Sequence, residues 1–192
     1  MKREENNSRP GSRWGGAQRS PAGRVFSKHR PLALPDLSAE LIFWSLVVVG
    51  IVLDLWSKRA VFDWLEHHGS VSIIDGFLRL VMALNDGAAF GLFSGHPYWL
   101  IVVSCVALVV IFAVFLFGGA KQRLVHVALG LFAAGVCGNL YDRIFNDGLV
   151  RDFIDVYYRQ HHWPAFNVAD SLLCIAVGLG IISCLWVPKR SL

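Results

Sequence analysis

Between Tyr98 and Phe117 the chain runs for a full helical membrane crossing without a single charged side chain. A hydrocarbon core of about 30 Å is crossed by roughly 20 helical residues. Three further stretches have comparable length and apolarity: Leu41 to about Ala60, Leu124 to about Tyr141, and Val168 to Val187, where Pro188 and Lys189 end the run. Over all 192 residues the chain is 55% hydrophobic and 17% charged, well below the roughly 25% charge of soluble domains. The expected fold is therefore a mainly α membrane protein, a bundle of four transmembrane helices. The first span is no cleavable signal peptide, because its charged lead and apolar core are too long and no small-x-small site follows.

The net charge of +4 does not point to nucleic acid, because the basic residues are not gathered on a folded module. Lys2, Arg3, Arg9, Arg13, Arg19, Arg24, Lys28 and Arg30 lie in a stretch rich in Gly, Ser, Pro and Asn. Such a composition buries too little apolar surface to order itself. Residues 1–40 are accordingly expected to be a disordered basic tail, and 41–192 the membrane domain. Lys121 and Arg123 between the second and third spans, and Lys189 and Arg190 at the C-terminus, fall on the same side as this tail. The positive-inside rule then makes both termini cytoplasmic. The connections at about 61–97 and 142–167 face outward.

In the first of these, Val71–Ile74 and Phe77–Leu84 flank Asp75-Gly76, the pattern of two strands joined by a tight turn. A second pair, Asp86-Gly87, ends the second strand. A small extracytoplasmic β-sheet on the outer membrane surface follows. In the second connection, Phe153–Trp163 is rich in aromatics and His, which suit the headgroup layer. Cys105, Cys137, Cys174 and Cys184 all lie in apolar runs without metal or redox spacing, and read as buried free thiols.

Polar groups near the outer ends of the spans carry the functional information, since ionisable residues at membrane depth face a protein interior or a wet cavity. Asp54 and Lys58 stand four apart on one helix face, either as an ion pair that fixes packing or as a contact to substrate. Asn139, Asp142 and Arg143 lie within about one turn, either as a hydrogen-bonded plug or as a binding group. Small residues, Ala133, Ala134, Gly135 and Gly138, precede them and permit close helix approach. Asp170, at the mouth of the fourth span, is a natural helix N-cap, and Asp152 alone would be a solvated loop acid. Brought together in a poorly hydrated site, two such carboxylates share one proton and supply both an acid and a base. No GxSxG, HExxH or matched Ser/Cys–His set competes with them.

Four blocks then carry a resemblance. Asp54-Leu55-Trp56-Ser57-Lys58, Asn85-Asp86-Gly87-Ala88-Ala89-Phe90-Gly91, Gly138–Arg143 with Val150–Asp155, and Phe166-Asn167-Val168-Ala169-Asp170 follow one another. In that order they resemble lipoprotein signal peptidase, the signal peptidase II family of bacterial membrane aspartic peptidases. The resemblance covers about 41–187. It implies that Asp152 and Asp170 are the catalytic pair. Asn85, Gly87, Asn139, Asp142, Arg143, Asn167 and Ala169 then line or brace the site, with Asp54 and Lys58 in support. It implies a diacylglyceryl-prolipoprotein substrate cut just before the lipidated cysteine, at the periplasmic face of the bacterial inner membrane among its lipids. It further implies no metal or organic cofactor, and inhibition by globomycin. Two departures stand out. The tail is longer than the family's, and Ile144–Leu149 is about one residue longer, which admits Asp155 beside Asp152 as first acid. The flanking Val150 and Phe153 favour Asp152. A transporter using its buried acids and a scaffold binding partners through the sheet are the competing readings.

Overall fold

The computed structural model describes residues 34–87, 93–119 and 122–185. Most of the expected tail, Ala88–Gly91 of the second block, Lys121 and the C-terminal Lys189 and Arg190 lie outside the described residues.

Among the described residues, four helices are long and apolar enough to cross a membrane: α1 (Leu37–His68), α2 (Pro97–Phe117), α3 (Arg123–Phe145) and α4 (Val168–Leu185). α1 begins before the expected boundary at residue 41, because Asp36 caps it by accepting from Ala39 N at 2.8 Å. It also outruns the expected span, reaching about 48 Å at 1.5 Å per residue. Leu65 holds the extra turns by burying its side chain almost completely. Gly69, at φ 69°, ends the helix with its N–H on the Leu65 carbonyl.

Half of the α3 span is buried inside the protein, against 11–28% for the other three, so α3 is the central helix. Its small residues make this possible. A Cβ on Gly135 would come within 2.7 Å of both the Ala169 carbonyl oxygen and the Leu173 side chain on α4. At the end of the bundle away from the sheet, Phe43, Val47, Ile111, Phe115, Ala133 and Val136 pack into a core, with the rings of Phe43 and Phe115 stacked at 4.0 Å. The outward faces of α2 and α4 stay apolar and exposed, as at Val102, Val106, Val109, Ile175 and Ile181, which suits lipid and not water. The four cysteines are free, but Cys105, Cys174 and Cys184 are exposed on these faces and not buried as expected.

At the other end lies a sheet of order β1-β2-β3-β4: β1 (Val71–Ile74), β2 (Leu78–Asn85), β3 (Val150–Tyr158) and β4 (His161–His162). Every neighbouring pair is antiparallel. The expected hairpin is present, turning through Gly76 at φ 77°. β3 and β4 occupy the connection for which only an aromatic and His-rich composition was read. Asp152 and Asp155 break the apolar alternation there, yet Val, Ile, Phe and Tyr between them are strand formers, and β2 offers an edge to pair with.

Candidate active site

The sheet end of the bundle holds a cavity of about 820 Å³. Asn85, Asp86, Asn139, Arg143, Asp152, Asp170 and Ser171 supply its polar lining, together with Gly87. Leu173, Cys174 and Ile175 of α4 give it an apolar side, and Trp163–Phe166 a wall.

Asp170 reaches the cavity through helix capping. Its backbone N–H donates to Asn167 Oδ1 at 3.0 Å, and Asn167 N donates back to Asp170 Oδ2 at 3.1 Å. This reciprocal pair is a capping box in which Asn167, not Asp170, is the N-cap. The N–H of Ala169, another unpaired donor of the first turn, is satisfied from across the bundle by Asp54 Oδ1 at 2.8 Å. Asp170 Oδ1 accepts from Asn139 Nδ2 at 2.8 Å.

Asp152 arrives from the sheet. Asn85 pairs with Val150 and Ala83 with Asp152, so Asn85 and Asp152 are diagonal neighbours on one face. Asn85 Nδ2 donates to Asp152 Oδ2 at 3.0 Å, and Asn167 Nδ2 donates to Asp152 Oδ1 at 2.6 Å. Asn167 therefore touches both carboxylates, one through its side chain and the other through its backbone. Burial is the main force on Asp152. With the charge of Asp170 nearby, it outweighs the hydrogen bonds from Asn85 and Asn167 and pushes the carboxyl up to about 6.

Beneath the cavity lies a buried charge network. Asp54, Lys58 and Asp142 are fully buried. Lys58 Nζ stands 2.7 Å from Asp54 Oδ2 and 3.3 Å from Asp142 Oδ2. Arg151 adds a second cation, with Nη2 2.6 Å from Asp142 Oδ1 and its backbone N–H on Asp142 Oδ2 at 3.0 Å. Two acids and two bases leave the network neutral, the condition under which charges survive burial. Lys58 also donates to Asn139 Oδ1 at 3.0 Å, which turns the amide nitrogen of Asn139 toward Asp170. Gly138 is required here, since a Cβ would fall on the Asp54 carboxylate and press on Ala169. Asp54 and Lys58 thus form an ion pair that fixes packing, and neither lines the cavity. Asp142 has the same buried character. Arg143 faces the cavity and ties it to the loop after β2, donating from Nη2 to the Gly87 carbonyl at 2.9 Å.

Asp155 lies on the other face of β3, between Arg79 and His162, away from the cavity lining. The sequence reading missed Arg151 as a partner of Asp142. It also missed the α4 face through Leu173 and Cys174, which spacing of three and four residues from Asp170 marks. Among the described residues no group of three or more His, Cys, Asp or Glu is arranged to hold a metal ion.

A family model for signal peptidase (SPase) II matches residues 46–186. The chain belongs to the signal peptidase II family. A lipoprotein signal peptidase of Geobacter sulfurreducens is 41% identical over 152 residues, covering 78% of this chain and 94% of that protein. One from Geobacter metallireducens is 40% identical over 141 residues, covering 72% and 86%. A solved bacterial membrane enzyme, obtained by the in meso method, superposes with a TM-score of 0.67 at 29% identity, covering 81% of this chain and 94% of that one. As a signal peptidase II the protein is an aspartic peptidase that removes signal peptides from prolipoproteins. The transporter and scaffold readings fall away.

Proposed function

We propose that Asp152 and Asp170 are the pair with which this signal peptidase II hydrolyses its precursor, cutting just before a diacylglyceryl-modified cysteine. The reading rests on one observation: two carboxylates from separate elements face one cavity and share Asn167 as hydrogen-bond partner. Close acids of this kind resist joint ionisation, and burial with the charge of Asp170 pushes the Asp152 carboxyl up to about 6, within reach of the protonated form that the acid step needs. The ionised member takes a proton from water, whose oxygen attacks the scissile carbonyl carbon. The protonated member delivers its proton to the amide nitrogen as the C–N bond breaks, freeing the amino group of the lipidated cysteine.

The other polar groups hold this arrangement. Asn85, Asn139 and Asn167 orient the carboxylates, and Arg143 with Gly87 fixes the cavity edge. Ala169 leaves room for Asp54, and Asp54, Lys58 and Asp142 lock the elements beneath. The apolar side of the cavity toward α4 suits a signal peptide lying among the spans, while the acyl chains stay with membrane lipid. The distribution of Lys and Arg supports cytoplasmic termini and a site at the periplasmic face of the inner membrane. The segment ahead of Asp36 takes no part in the chemistry, and globomycin blocks the cavity.

The test is cleavage of a synthetic diacylated precursor peptide by purified enzyme. Asp152→Asn and Asp170→Asn each lose the roughly 10²–10⁴-fold that a positioned acid or base contributes, globomycin stops the wild type, and Asp155→Asn retains turnover. Full turnover by either of the first two variants removes that residue from the pair.

A further inference from the structure

The cavity wall of Trp163, Pro164, Ala165 and Phe166 is anchored at two ends. At one, Phe166 N donates to the Ile154 carbonyl at 3.0 Å and Ile154 N returns the bond at 2.9 Å. At the other, Trp163 N donates to the Val156 carbonyl at 2.9 Å. β4 pairs only Tyr157 with His162 and Tyr158 with His161. The turn that precedes it passes through Arg159 at φ 56°, left-handed backbone that a long side chain rarely adopts. A ribbon this short is marginal by itself.

Side chains reinforce it. His162 Nδ1 lies 3.1 Å from both Oδ1 and Oδ2 of Asp155. The His162 ring stacks on Tyr157 with centroids 5.5 Å apart. Arg79, directly opposite Asp155 on β2, donates to Asp155 Oδ2 and lays its guanidinium 5.2 Å from the Tyr157 ring centroid. Tyr157 in turn accepts from Gly76 N at 3.1 Å. Asp155 and Asp152 are three residues apart on one strand, so this cluster occupies the face away from the reacting carboxylates. The proposed hydrolysis uses none of it.

We propose that His162 is a positioning residue for the prolipoprotein: held by Asp155 and stacked on Tyr157, it fixes the Trp163–Phe166 wall. The inference rests on the reading that the cavity receives the precursor. The titratable and charged groups facing His162 are Asp155 and Tyr157 of β3 and, through the shared carboxylate, Arg79 of β2. The His162 ring meets Asp155 through Nδ1, 3.1 Å from each carboxylate oxygen. Burial raises the proton affinity of Asp155, but the hydrogen bonds from Arg79 and His162 outweigh it and hold the carboxyl below its ordinary range. Asp155 is thus an anionic acceptor for both donors. The contact lies away from the reacting atoms, so it acts on KM and leaves kcat alone.

Steady-state cleavage of the diacylated precursor peptide by the full-length enzyme at one fixed pH separates these effects. Because His162 is partly exposed, His162→Ala, which removes both the ring and its bond to Asp155, raises KM roughly two- to fivefold and retains kcat. Asp155→Asn raises KM to a similar extent, and the double variant goes no further. His162→Asn, which keeps an uncharged donor near the position of Nδ1, recovers most of the wild-type KM. A wild-type KM in His162→Ala overturns the proposal, as does a fall in kcat with KM unchanged. Failure of the underlying reading shows separately, as turnover by Asp152→Asn or Asp170→Asn.

Discussion

Asp152→Asn should stabilise the protein at neutral pH while abolishing its activity, and the amount follows from the site. An Asp carboxyl ordinarily titrates near 3.8, and burial pushes that of Asp152 up to about 6. A carboxyl that binds its proton more tightly when folded favours folding at low pH and opposes it once ionised. The cost therefore grows as pH rises above about 4 and is complete above about 6, where the difference is worth about 3 kcal/mol. Asparagine cannot ionise and escapes this cost. It does place one NH₂ where both carboxylate oxygens now accept, from Asn85 and from Asn167. Asn85 cannot turn to compensate without losing the Gly87 N–H that its Oδ1 accepts. One hydrogen bond is lost, at about 1 kcal/mol. The net gain at pH 7.5 is about 2 kcal/mol, a rise in Tm of roughly 4–8 °C for a domain of this size. At pH 4.5 the avoided cost shrinks to about 1 kcal/mol and the two terms cancel. Thermal unfolding of both proteins in the same detergent at the two pH values checks this. A Tm difference that does not change with pH would refute the claim that a buried, costly charge resides on Asp152.

Two further substitutions probe the network under the cavity. Lys58→Met strips the shared cation from two fully buried acids and should cost about 3–5 kcal/mol, with partial recovery when Asp54→Asn is added, both measured by unfolding in detergent. Gly138→Ala drives a methyl group onto the Asp54 carboxylate and toward Ala169. It should cost about 1–3 kcal/mol and lower kcat for the precursor peptide by displacing the start of α4.

The spans were legible because lipid permits few alternatives: a backbone without water must satisfy its own hydrogen bonds, so a long apolar run is a helix. The β1–β2 hairpin was legible because its turn is local, with Gly76 at positive φ. β3 was not. Its pairing partner lies about seventy residues earlier in the chain, and its polar residues are polar for reasons of contact: Asp152 to Asn85, Asp155 to Arg79. The role of Asp170 was half visible. Helix chemistry predicted an acid at the mouth of α4, but only coordinates separate an N-cap from the partner of Asn167 in a capping box. Arg151 was hidden for a similar reason, since nothing in its neighbours tells that Asp142, nine residues back, carries a second cation.

The blocks are spread along the chain because the site exists only where five elements meet, and each element brings a group that fixes another. Asp54 on α1 completes the first turn of α4, from 115 residues away. Lys58 on α1 turns the Asn139 amide of α3 toward Asp170. Asp142 on α3 fixes the backbone of Arg151 and so the start of β3, one residue ahead of Asp152. Asn85 on β2 and Asn167 at α4 then take one oxygen each of that carboxylate. Two acids that repel each other are held against one cavity by this cross-bracing, because no local segment could oppose the repulsion alone. The same logic explains why the bracing charges are buried and neutral as a set. An exposed pair would be screened and would yield, whereas a buried, neutral one resists displacement, which a well-aligned site requires.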